Sequence, residues 1–279
     1  MMRRWAAHWL RSCREMPGRG RLVLDRKGSG PEKQIHDFRR VMKAWRALLK
    51  LAPAELANEA KAIRAQVGRL RRGFGAARDA SVVARTLGAV LPECDPESDA
   101  PIDPGELLRQ QRDAIHWELQ WLAGKMAGWS VAAESGGFLV SAFKRSYRRA
   151  RRRSRRDPRR MGLKRLHAWR TAIVDLGYQL SFFQPADPAR LGRQAETAEQ
   201  LRAQLGAVVD LDMARAQLPT AASKRRREQA GREIDRSIAR QRRAAARIAG
   251  RLLDRRPKVV CARLADAMAR RKPHRIRLA

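Results

Sequence analysis

One set of residues recurs 131 positions later in the same order, and this constrains the fold more than any other feature of the sequence. His36, Arg39 and the run Gly75-Ala76-x-x-Asp79 reappear as His167, Arg170 and Gly206-Ala207-x-x-Asp210. One such match is at chance level, whereas two in a single register point to two copies of a structural unit. The apolar residues agree. Ile35, Phe38, Met42, Trp45 and Leu49 form a helical stripe, and Leu166, Trp169, Ile173, Leu176 and Leu180 form a second one at the same offset. The pattern predicts equivalent helices over 32–51 and 159–183. It places repeat 1 at about 1–130 and repeat 2 at about 131–279, within a single domain.

Strand signals are scarce, and apolar residues recur at steps of three and four throughout. Helices are expected near 2–16, 32–51, 54–72, 76–91 and 105–127, and again near 136–156, 159–183, 187–204, 207–217 and 222–254. The stretch 17–31 is glycine-rich and 92–105 is proline-rich, so both are expected to be irregular. The second carries five acids before Gly105 and reads as a solvated connector. The expected fold class is all-α, with two pseudo-twofold-related helical bundles built from the internal repeat.

The charge balance points to an anionic partner. There are 62 basic residues against 28 acidic ones, for a formal net charge of +34. Arginine outnumbers lysine by 51 to 11. The guanidinium fork matches phosphate oxygens in a bidentate way, although a GC-rich genome also favours arginine codons. Cys13, Cys94 and Cys261 are scattered and form neither a disulfide framework nor a C-x-x-C site, so a reducing cytoplasm is expected. Trp5 to Leu10 is too short for a signal segment, and no apolar run is long enough to span a membrane.

The basic residues are arranged in lines. His36, Arg39, Lys43, Arg46 and Lys50 follow steps of three and four along one helix. Each follows an apolar stripe residue, so the two lines lie about 100° apart. A solvated face normally lies opposite the core; this one borders it, where a groove between helices would open. Lys144 to Arg160 holds eleven basic residues, including Arg145, Arg148, Arg149, Arg152, Arg155 and Arg156, with Phe138, Phe143 and Tyr147 as anchors. Arg232, Arg236, Arg240, Arg243, Arg247 and Arg251 make a further line of about 28 Å if helical. That last line is equally compatible with a polyanion track and with a solvated face whose core side is Ile234, Ile238, Ile248 and Leu252.

Catalytic patterns are missing. No G-x-x-x-x-G-K-[ST] loop is present, and His8, His36, His116, His167 and His274 show no H-x-x-x-H or H-E-x-x-H pairing. His36 and His167 could meet across an axis, but no acid is placed to complete a metal shell. No Ser–His–Asp or paired-carboxylate arrangement can be argued. The expectation is binding without catalysis, metal or cofactor.

The run Ile35-His36-Asp37-Phe38-Arg39-Arg40-Val41-Met42-Lys43-Ala44-Trp45-Arg46 resembles the signature of CHAD domains, the conserved-histidine α-helical domains. Phe74-Gly75-Ala76-Ala77-Arg78-Asp79 and Leu166-His167-Ala168-Trp169-Arg170 resemble it too. The resemblance covers nearly the whole chain. It implies a basic central groove or pore between the halves, binding of inorganic polyphosphate and association with polyphosphate granules in the cytoplasm. No E-x-E-x-K strand motif of the triphosphatase domain often fused to this family occurs.

With the basic lines, the resemblance gives the candidate polyphosphate-binding residues His36, Arg39, Arg40, Lys43, Arg46, Lys50, Arg78, Arg145, Arg148, Arg149, Arg152, His167 and Arg170. Two departures stand out. Val174 and Gly177 occupy positions where the family keeps basic residues, and Val209 is the counterpart of Arg78. The second half therefore carries a thinned site, although Tyr178 fits the pattern, and the arginines from Arg145 to Arg152 are expected to compensate. The implied partners are polyphosphate and granule-associated proteins, with no membrane and with nucleic acid only as a non-specific competitor. The rival readings are a nucleic-acid-binding helical protein and a scaffold for an acidic protein or granule surface.

Overall fold

A computed structural model describes residues 2–75, 86–89, 103–131, 136–155, 157–218 and 223–273. Among them there is no strand. The helices are α1 (Met2–Leu24), α2 (Pro31–Leu49), α3 (Ala57–Gly73), α4 (Pro104–Ala127) and α5 (Gly137–Ser154), then α6 (Leu163–Phe183), α7 (Pro188–Ala216), α8 (Lys224–Leu253) and α9 (Pro257–Arg270). Short 3-10 turns at Ala54–Leu56, Pro158–Arg160 and Gln184–Ala186 join some of them.

Local chemistry sets several helix starts. Asp103 accepts hydrogen bonds from the Gly105 and Glu106 amides, with Pro104 opening α4. Asp187 does the same for the Arg190 amide at the start of α7, ahead of Pro188. The two predicted stripes are buried in full: Ile35, Phe38, Met42, Trp45 and Leu49 on α2, and Leu166, Trp169, Ile173, Leu176 and Leu180 on α6. These two helices pack against each other. The Gln179 side-chain amide donates to the Ala47 carbonyl across the pair at 2.9 Å.

Most of the buried side chains belong to one continuous cluster running from Trp5 to Met268, with Leu87 and Ala214 packed apart from it. Trp5 Nε1 donates to the carbonyls of Met268 and Arg271, each at 3.1 Å, so the first helix is tied to the last. Trp9 Nε1 donates to the Leu48 carbonyl at 2.9 Å and fixes α1 on α2.

Three expectations are corrected. The first helix does not stop at Pro17 but runs on to Leu24. An internal proline removes one helical hydrogen bond. Here Met16, Pro17, Gly20, Val23 and Leu24 are all buried, and that packing outweighs the local penalty. At Gly20 an added Cβ would lie 3.1 Å from Met42 and 3.2 Å from Leu119, so the glycine permits close helix approach rather than a turn. Second, Gly206 lies inside the unbroken helix α7 and not in a turn between two helices. Third, the chain adds a helix, α9, beyond the last expected one at 222–254; it buries Val260, Cys261, Leu264, Ala267 and Met268. The expected helix at 76–91 lies outside the described residues apart from the helical 86–89, as does most of the acidic connector.

Candidate functional site

The basic line on α2 sits where the sequence pattern puts it, beside the buried stripe. His36 and Arg40 are exposed, while Arg39, Lys43, Arg46 and Lys50 are half-buried. A cavity of about 230 Å³ opens against this line. Arg39, Lys43 and Arg46 of α2, Arg71 and Arg72 of α3, and His167 and Arg170 of α6 line it. Candidate residues separated by more than a hundred positions thus share one wall. A second cavity, of about 720 Å³, is lined by His36, Arg40 and Lys43 of α2, Tyr178 of α6, and Glu199 and Arg202 of α7. The two cavities share Lys43 and Val174, so the Lys43 ammonium stands at their divide. His36 and His167 line different cavities. Among the described residues no group of three His, Cys, Asp or Glu side chains could hold a metal ion.

Lys43 is held in an environment hostile to its own charge. Burial, and then the positive charges of Arg170, Arg202, Arg39 and Arg71, push its pKa down to about 7. The His36 imidazole is pushed below its usual value by burial and by Lys43 and Arg40. Burial raises the Tyr178 hydroxyl pKa, against the pull of Arg40. Acids are present in the larger cavity: Glu199 pairs with Arg202, and that hydrogen bond holds its carboxyl below the usual range.

Arg39 differs from its neighbours. Its Nη1 donates to the carbonyls of Arg71 at 3.0 Å and Phe74 at 2.8 Å, where the last turn of α3 leaves backbone acceptors open. It therefore caps α3 while lining the cavity. Arg170 packs across Gly206 of α7, where an added Cβ would come within 3.4 Å of its Nη2. Arg46 lies over Gly68 of α3, and its Nε is buried with no hydrogen-bond partner.

Lys50 is drawn out of the line. Its ammonium pairs with the buried Asp175 carboxylate of α6, across the α2–α6 contact. Burial still lowers its pKa, outweighing Asp175.

The α5 arginines occupy a separate place. Arg145, Arg148, Arg149, Arg151, Arg152 and Arg155 line a cavity of about 510 Å³ beside Pro257. It shares no lining residue with the other two, so these side chains do not fill the positions that Val174 and Gly177 leave uncharged. Arg151 caps the end of α8, donating to the carbonyls of Leu253 at 2.9 Å and Asp254 at 3.3 Å. The Arg149 charge reaches Lys50 and the Arg64 guanidinium, lowering both pKa values behind the larger effect of burial.

Arg78 lies outside the described residues, and so does Asp79. Sequence reasoning missed Arg71, Arg72 and Arg202. The repeat offset itself carried a signal for two of them, because Arg202 stands 131 residues after Arg71, whereas Arg72 corresponds to Ala203. The family model described as CHAD domain matches residues 21–219. No curated protein matches the chain.

Proposed function

The chain belongs to the CHAD domain family, and from that premise we propose that it binds inorganic polyphosphate, without catalysis, in the basic groove between α2, α3, α6 and α7. One observation carries the reading. Arg39, Lys43 and Arg46 from the first half and His167 and Arg170 from the second line one cavity, and Lys43 there has its charge opposed by four arginines. A polyanion supplies the missing counter-charge. Guanidinium groups of Arg46, Arg71 and Arg72 present paired donors to phosphate oxygens, and Lys43 and the histidines present single donors. His36, Arg40 and Arg202 extend the donor set along an elongated ligand into the larger cavity. The arginine cavity on α5 provides a further stretch of contact.

The helix order supports an internal repeat. The offset of 131 carries Pro31–Leu49 onto 162–180, against the observed Leu163–Phe183, and Ala57–Gly73 onto 188–204, inside the observed Pro188–Ala216. The turn at Ala54–Leu56 falls one residue from Gln184–Ala186. Association with polyphosphate granules follows from this reading, since a domain that captures the polymer is carried to where it accumulates.

The test is a titration of the full chain with long-chain polyphosphate, pyrophosphate and duplex DNA at one ionic strength. Polyphosphate is expected to bind tightest, with affinity falling as salt rises. Equal or tighter binding of DNA would overturn the assignment.

A further inference from the structure

The arginine line on α8 takes no part in the groove. Arg232, Arg236, Arg240, Arg243, Arg247 and Arg251 are all exposed, and none lines any of the three cavities. The opposite face of α8 is the buried one, through Ile234, Ala245, Ile248, Ala249 and Leu252. The helix also begins at Lys224, beyond the matched family stretch of 21–219.

Two comparisons within the molecule separate this line from an ordinary solvated face. Several arginines on other helices find a carboxylate one turn away: Arg19 with Glu15 at 2.9 Å, Arg190 with Asp187 at 2.8 Å, and likewise Arg109 with Glu106. Among the described residues no carboxylate pairs with any of the six; Arg240 donates to the Ser237 hydroxyl at 3.1 Å. Like charges one turn apart destabilise a helix, and the line repeats that arrangement along its length. The second comparison is α4. Its exposed residues Glu106, Gln110, Asp113, Trp117 and Trp121 follow the same steps of four, three, four and four as Arg236 to Arg251. An outward stripe of identical geometry in the same chain is acidic, amide and aromatic, so arginine-rich composition alone does not dictate the α8 line.

We propose that the outward face of α8 is a second polyanion track, which binds an extended polyphosphate chain independently of the groove and lets one molecule bridge two chains. The six guanidinium groups run about 28 Å along the helix, a length suited to an extended polymer rather than a small phosphate metabolite. No aromatic side chain occurs anywhere in α8, so the face offers no stacking platform for bases and reads phosphate alone. Bridging rests on the reading that the groove holds polyphosphate. A groove site and an outward track together make each molecule bivalent, and bivalent molecules cross-link a long polymer.

The experiment uses the full chain in three variants. The first changes all six line arginines to Gln. The second changes six scattered exposed cations, Arg11, Arg21, Lys61, Arg193, Lys258 and Arg263, to Gln as a charge-matched control. The third is Lys43→Gln with Arg46→Gln in the groove. Titration with short-chain polyphosphate reads the groove, and light scattering on mixing with long-chain polyphosphate reads cross-linking. The line variant should keep short-chain affinity within about twofold and lose scattering by about tenfold, while the control scatters like the wild type. Scattering by the line variant equal to wild type would overturn the proposal, as would an equal loss in the control. Loss of duplex DNA binding alone, with cross-linking intact, would assign the line to nucleic acid and overturn it too. The groove variant separates the two readings: unchanged short-chain affinity there rejects the groove, whatever the line does.

Discussion

α2 and α6 carry the same apolar stripe and pack on each other, yet they bring different chemistry to the groove between them. On α2 the positions facing it hold Arg39, Arg40, Lys43 and Arg46; the residues 131 further on in α6 are Arg170, Thr171, Val174 and Gly177. Only the first arginine is kept in both. That arginine also has a structural role, since Arg39 caps the end of α3 and Arg170 packs over Gly206 of α7. The cations lacking a counterpart, Arg40, Lys43 and Arg46, include the depressed ammonium and the buried unpartnered Nε. Repetition thus marks the hook that joins a helix to its successor, and asymmetry marks the side chains facing the proposed ligand. α2 supplies most of the charge, and α6 sets Arg170 and His167 beside the uncharged Thr171 and Val174.

The largest effect that tests this division is on affinity. Replacing Lys43 and Arg46 together with Gln removes the two unrepeated cations that line the smaller cavity. Charge-assisted hydrogen bonds contribute about 1.5–3 kcal/mol when well made, and partial exposure reduces this to about 1 kcal/mol each. The double change is then expected to weaken polyphosphate binding roughly thirtyfold by titration calorimetry. Arg170→Ala should cost less. Equal losses would break the contrast between the helices.

The second effect is on stability, and it runs the other way. Arg39→Ala leaves the Arg71 and Phe74 carbonyls without their cap, for an expected loss of about 2 kcal/mol in urea unfolding. Arg46→Ala removes a cation from a crowded site and should be neutral or stabilising. If the two variants unfold alike, Arg39 is not a hook.

The sequence makes one part of this legible and hides the other for physical reasons. The stripes of α2 and α6 are visible because burial follows the helical period, a local property. Pro17 and Gly206 mislead because their local preference is to break a helix, and distant packing overrides it: Met42 and Leu119 against Gly20, and Arg170 against Gly206. α9 is hidden although its apolar residues are periodic; its anchor is Trp5, at the far end of the chain. Of the candidate site, the Arg39–Lys43–Arg46 line and its meeting with His167 and Arg170 are legible in the spacing. Lys50 falls in with them because nothing in its spacing discloses Asp175, 125 residues away, which meets it only where α2 crosses α6.

The third effect comes from protons. Lys43 has a pKa near 7 in the folded chain, below its ordinary 10.5. The unfolded chain therefore holds more protons between about pH 7 and 10.5, and this group makes stability rise with pH across that window; below pH 7 its penalty is fully present. A bound polyanion favours the charged ammonium and raises its pKa again, so the complex takes up protons, up to roughly half of one at pH 7. Affinity should then rise as pH falls from 8 to 6, by up to about tenfold. Calorimetry in buffers of different ionisation heat measures the uptake. Lys43→Gln should flatten most of the dependence, with His36, also held below its usual value, supplying the remainder. An unchanged pH profile in that variant would remove Lys43 from the site.

The smallest effect asks whether α6 can be given what α2 has. Val174 is half-buried and borders both cavities beside Lys43, and it occupies the place in α6 that Lys43 occupies in α2. Val174→Lys adds a cation facing the proposed ligand, but three terms oppose the gain. The new ammonium is partly desolvated, it repels Lys43, and it pushes the Lys43 pKa lower still, so that more of that charge is lost at neutral pH. The net expectation is a gain in polyphosphate affinity of about threefold at pH 6, shrinking towards none at pH 8, with a loss of about 1 kcal/mol in the free protein. Val174→Thr, which alters polarity without charge, should leave affinity unchanged. A gain at pH 8 as large as at pH 6 would mean that the two ammonium groups do not sense each other across the divide. No gain at either pH would mean that the α6 wall is out of the ligand's reach, and the groove would then belong to α2 and α3 alone.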